Sequence, residues 1–116
     1  MVHLPFSLWF ALMPYTSVLL LLNELEHALH RAGLWHSEAP EPQALASTAP
    51  FCCDTMSFDA WLQFIFLPRF TALVESGQPL PAMALAPMAE HVWGQQIEFA
   101  ELISVITRLD DAVNAA

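Results

Sequence analysis

The sequence predicts an all-α protein, a small bundle of about four helices with a long Pro-rich loop between the first two. Three observations lead there. Apolar residues recur at spacings of three and four in separate stretches, the period of a helix with a buried face. No stretch alternates apolar with polar, as a half-buried strand would. The punctuation agrees with both, since Ser57 and Pro87 stand where helices begin and Gly33, Gly77 and Gly94 where they stop.

The first helix is expected from about Val18, with Leu21, Leu22, Leu25, Ala28 and Leu29 as its buried stripe and a stop near Gly33. Glu24, Glu26, His27, His30 and Arg31 fall mostly off that stripe. Residues 1 to 22 need separate treatment, because they carry no charge apart from His3. Leu4 to Leu22 is roughly the 20 residues that a membrane helix requires. A signal peptide is disfavoured by the missing basic segment, and a spanning helix by Pro5, Pro14 and the lack of flanking cations. The favoured reading sets residues 1–12 apart from the domain and takes Met13 as the start, with the helical domain over 13–116. Thr16 or Ser17 then caps the first helix.

Residues 36–50 hold three prolines and several small polar residues, which break periodicity and make a loop. Ser57 then caps a second helix through Phe58, Trp61, Leu62, Phe64, Ile65, Phe66, Phe70, Leu73 and Val74 to Gly77. That helix is apolar nearly all round, so a central position is expected, with a kink at Pro68 against the carbonyl of Phe64. Gln78-Pro79-Leu80-Pro81 makes a stiff connector. Pro87 starts a short helix through Trp93, and a last helix carries Ile97, Phe99, Leu102, Ile103, Val105, Ile106, Leu109 and Val113.

With 116 residues, 56% of them hydrophobic, the chain fits one domain around one core. Its 12 acidic residues face only Arg31, Arg69 and Arg108, for a net charge of -9. Nucleic-acid affinity depends on cations that displace counterions, so direct binding of RNA or DNA is not expected, whereas a basic protein partner is electrostatically favoured. The only cysteines, Cys52 and Cys53, are adjacent and cannot staple distant segments, which points to a reducing, cytoplasmic setting.

No catalytic, cofactor or metal site is expected. His27, His30 and His36 stand among acidic residues without a ligand spacing, so they read as a solvated helix face. Asp54, Thr55 and Ser57 read as caps of the second helix. Three glycines are too few for a phosphate-cradling loop, and no nucleophile stands in a recognisable signature. Arg69 is more informative, because a cation on an apolar helix must be paired or must face a cleft. An internal ion pair with Asp54 or Glu90 is the first reading and a ligand-binding arginine the second. Trp35, Trp61 and Trp93 read first as core and second as an aromatic surface.

The run from Ser47 to Glu90 resembles the YqcC-like family of small bacterial proteins. The likeness rests on Phe51, Asp54-Thr55, Trp61-Leu62-Gln63, Pro68-Arg69, Pro79-Leu80-Pro81, and Pro87 with Glu90. It extends more weakly over the first and last helices, while His91 stands where the pattern has a second acidic residue. The resemblance implies a soluble helical bundle and no defined activity. Genes of the family tend to lie beside that of a tRNA pseudouridine synthase, which implies a shared pathway in tRNA modification.

The functional expectation is therefore a non-enzymatic protein-interaction module without cofactors, accessory to such a synthase. Its expected surface comprises Asp54, Thr55, Trp61, Gln63, Arg69, Pro79, Pro81 and Glu90. The alternatives are a small-molecule or anion pocket around Arg69, and membrane association through residues 1–22.

Overall fold

The computed structural model describes the backbone of residues 6–115 and the side chains of residues 15–115. The described chain is helical without a strand. Helix α1 spans Phe6–Arg31, α2 is one turn at Pro42–Leu45, α3 spans Phe58–Trp61, α4 Leu67–Glu75, α5 Ala86–Trp93 and α6 Ala100–Ala115.

Of the expected stripe of the first helix, Leu22, Leu25, Ala28 and Leu29 are buried together with Val18, while Leu21 is half-buried against the core. They meet Leu102, Val105, Ile106, Leu109 and Val113 of α6 within one core. Each such side chain taken out of water contributes about 1.5–3 kcal/mol, so the α1–α6 seam anchors the fold. Its outer edge carries two ion pairs, Arg31 with Glu101 and Arg108 with Glu24, the latter at 3.2 Å. The helix stops as expected. Gly33 at φ +74° lets the amides of Gly33 and Leu34 turn back to the carbonyls of His30 and Leu29, both at 3.0 Å.

Its beginning differs from expectation. The backbone is already helical at Phe6, the first described residue, and stays so through Pro14, so Thr16 and Ser17 lie inside the helix and neither caps it. Pro14 stands in the interior of that helix, where its ring removes one main-chain hydrogen bond, and the backbone nevertheless stays helical through it. The separation of residues 1–12 from the domain falls on residues 1–5 and on side chains outside the described residues.

The second helix begins at Ser57, whose hydroxyl accepts the amide of Ala60 at 3.4 Å. It proceeds as α3, a π-turn at Leu62–Phe66, and then α4. In the π-turn the amide of Leu67 reaches back five residues to the carbonyl of Leu62. Pro68 explains it: the ring lacks an N–H and would press on the carbonyl of Phe64, and a widened turn makes room. This helix is not the covered centre of the bundle. Leu62, Phe66, Leu67, Phe70 and Val74 face the core, but Pro68 and Arg69 are exposed and Trp61, Phe64, Ile65 and Leu73 are only half-buried. The central seam belongs instead to α1 and α6.

After the extended connector, α5 starts with Pro87 in its first turn and stops at Gly94. Its entry is held from outside. Asp110 of α6, itself buried, accepts the amides of Leu85 and Ala86 at 2.9 and 2.8 Å, and Asn114 one turn later clasps Met83 through its amide and carbonyl. Ile97 departs from the expected core, standing 90% exposed at the head of the last helix.

Candidate interaction surface

Two of the three arginines are engaged in tying α1 to α6. Arg69 is not: among the described residues it has no ion pair, and it stands exposed one residue after Pro68. This corrects the expectation of an internal ion pair, and the reason lies in where the two proposed partners go. Asp54 accepts the hydroxyl of Ser47 within the preceding loop, and Glu90 is exposed on α5 beside a separate groove at Gly94, Gln96 and Ile97.

What surrounds Arg69 is apolar. Together with Trp61, Ile65, Phe66, Phe70 and Leu73 it lines a shallow groove of about 190 Å³ along the exposed side of the second helix. The floor is an aromatic stack, with Trp61 on Phe66 at 5.7 Å between ring centres and Phe66 on Phe70 at 5.1 Å. Phe51 meets Trp61 edge-on at 4.9 Å from the other side. Aromatic contacts of this kind add about 0.5–1.5 kcal/mol each beyond the area they bury, so the surface is held in one shape. Trp61 is thus partly core and partly surface, while Trp93 is buried.

Gln63 lies elsewhere. Its side chain clasps the backbone of His36, accepting the amide and donating to the carbonyl at 2.8 Å each. One turn earlier, buried Asp59 meets the ring of His36 at 2.6 Å. Together they fasten the chain leaving α1 onto the second helix, and Gln63 also borders a larger cleft of about 490 Å³ with Leu19, Asn23, Glu26 and Trp35. The sequence reading marked Gln63 but missed Asp59 and Asp110. Asp59 is an acid between apolar neighbours in a helix, a signal that could have found it, whereas Asp110 stands beside Arg108 and Asp111 and gives no such signal.

Asp54 and Thr55 do not cap the second helix, a task Ser57 performs alone. The Thr55 hydroxyl donates to the carbonyl of Ala44 at 2.8 Å, closing the loop on itself, because the turn at Phe51 and Cys52 directs both side chains back toward residues 44–47. Pro79 and Pro81 are exposed on the connector, which Tyr15 of α1 holds by a hydrogen bond to the carbonyl of Gln78 at 3.0 Å. Of the eight expected surface residues, then, only Trp61 and Arg69 line a common groove. Among the described residues no three His, Cys, Asp or Glu side chains converge as a metal site, and no helix is long and apolar enough to cross a membrane.

The class these features define is a small all-α bundle domain. The chain belongs to the DUF446 family, whose sequence model, described as "tRNA pseudouridine synthase C", matches residues 17–112. An uncharacterized protein of Haemophilus influenzae is 35% identical over 94 residues, 80% of this chain and 89% of that protein. The uncharacterized protein YqcC of Escherichia coli is 42% identical over 74 residues, covering 63% and 68% of the two chains. The solution NMR structure of E. coli YqcC superposes with a TM-score of 0.78 at 33% identity, over 89% of this chain and 91% of that one. A protein named tRNA pseudouridine synthase C from Pectobacterium carotovorum is 45% identical over 60 residues, 52% of this chain but only 16% of that longer one.

Proposed function

We propose that this chain is a non-catalytic interaction module that serves a tRNA pseudouridine synthase. The observation that carries the reading is the Pectobacterium relative. Its likeness to this chain occupies 16% of a protein named for the synthase, so most of that polypeptide lies outside the match. A domain joined to an enzyme in one chain is held at high effective concentration beside it, and a surface that binds the enzyme gives a domain of the same family the same proximity.

Two further features support it. A net charge of -9 disfavours contact with an RNA backbone, which leaves tRNA recognition to the synthase and gives this chain an electrostatic attraction to a basic partner. The buried polar side chains Asp59, Gln63 and Asp110 are all engaged in holding the fold together, through His36, the backbone of His36 and the start of α5. In this reading the module works in the cytoplasm, with Cys52 and Cys53 free.

The test is a titration of the purified chain with the synthase from the same source, before and after ribonuclease treatment. The proposal expects a complex with Kd on the order of 1 μM or tighter that survives ribonuclease. A complex that vanishes with ribonuclease, or none at tens of micromolar, refutes it.

A further inference from the structure

We infer that the face of the second helix formed by Trp61, Ile65, Arg69 and Leu73 is the surface that docks the synthase, and that it receives an apolar segment of that protein bearing a carboxylate. This rests on the partnership proposed above and adds to it a place and a chemistry.

The geometry comes from the π-turn. Residues four apart in an α-helix advance about 40° per step, so a row of four would wind away from one face. The wider turn at Leu62–Phe66 lies within this row, between Trp61 and Arg69, and takes up part of that drift. The row consequently borders one groove with Phe66 and Phe70 beneath it. Trp61, Ile65 and Leu73 keep part of their apolar surface in water, while the stacked rings fix the floor. A tryptophan and an arginine on one rigid surface are the residue types in which binding energy concentrates, and Ile65 and Leu73 flank them with apolar area.

The charge sets the occupant. Arg31 and Arg108 already have carboxylates, whereas Arg69 has none among the described residues and sits in the middle of the apolar row. A guanidinium presents a planar fork that matches a carboxylate, and its weak hydration suits an apolar setting. The complementary segment therefore carries aspartate, glutamate or a terminal carboxylate between apolar side chains. An RNA phosphate fits less well, since one cation cannot offset a net charge of -9 and apolar flanks do nothing for a phosphate.

The experiment uses the full chain with Arg69→Glu, Arg69→Lys and Ile65→Asp, and Asp111→Asn, at an exposed position of α6, as a variant outside the groove. Helical circular dichroism checks folding, and calorimetric titration against the synthase is run at two salt concentrations. Expected are a Kd at least tenfold weaker for Arg69→Glu and Ile65→Asp, a smaller loss for Arg69→Lys, and no change for Asp111→Asn. Replacing the matching acidic residue of the synthase by arginine restores binding to Arg69→Glu. If wild type binds and both Arg69→Glu and Ile65→Asp bind equally well, this face is not the docking surface and only the partnership stands. If Arg69→Glu instead abolishes self-association, or RNA retention, without weakening the synthase complex, the occupant is a second copy or a nucleic acid and the inference is overturned. If wild type does not bind the synthase at all, both readings fall.

Discussion

Replacing Asp110 by alanine is expected to destabilise the protein far more than any other single carboxylate removal on α6. Its two oxygens accept the amides of Leu85 and Ala86 at 2.9 and 2.8 Å, at the point where the connector becomes α5. Leu85 is buried, so its amide, once abandoned, has no water to turn to. Hydrogen bonds to a charged acceptor contribute about 1.5–3 kcal/mol, and the negative charge also faces the positive end of the α5 dipole. Because the two bonds share one carboxylate they do not simply add, and the expected loss is about 3 kcal/mol. For a domain of this size that lowers Tm by roughly 10–15 °C. Asp110→Asn keeps one acceptor but turns a donor toward the second amide, so about half that loss is expected. Asp111, the exposed neighbour, is the control, and its removal is expected to stay within about 0.5 kcal/mol of wild type. Urea unfolding followed by helical circular dichroism gives the comparison. A loss below about 1 kcal/mol for Asp110→Ala, or equal losses for the two aspartates, refutes the reasoning.

Gln63→Ala removes both bonds to the backbone of His36, with an expected cost of about 1–2 kcal/mol and faster hydrogen exchange at the His36 amide. Unchanged exchange there means the clasp is dispensable. Gly33→Ala meets no atom within 4 Å but must adopt φ +74°, so about 1 kcal/mol is expected from backbone strain alone, read as a shift in the urea midpoint. A neutral or stabilising result contradicts the turn described for that residue. Arg108→Ala breaks an ion pair whose side chains are 53% and 48% exposed, and a loss of no more than about 1 kcal/mol, shrinking with added salt, is expected. A larger, salt-independent loss contradicts a surface pair.

Much of the architecture is legible because its signals are local. Ser57, Pro87, Gly33 and Gly94 act through backbone geometry within a few residues of themselves, and the stripe from Val18 to Leu29 repeats at the helical period whatever lies opposite. Features set by distant partners are less so. Nothing near Asp110 in sequence says that its side chain reaches residues 85 and 86, and nothing near Asp59 points to His36, 23 positions earlier. Pro14 reads as a boundary in the sequence, yet α1 passes through it. Pro68 was expected to kink its helix, and the structure resolves the same steric conflict as a widened turn. That turn also decides the candidate surface. An apolar helix with one arginine suggests burial and an internal partner, but the phase of the π-turn leaves Arg69 outside, with Trp61 in the same groove and Gln63 turned toward His36.

The proposed partnership with a tRNA pseudouridine synthase has one most direct test. The most direct measurement is a calorimetric titration of the ribonuclease-treated chain into the synthase from the same source. Saturable binding with Kd on the order of 1 μM or tighter is expected, weakened at least tenfold by Arg69→Glu. The absence of heat and of any co-eluting complex at tens of micromolar protein contradicts it.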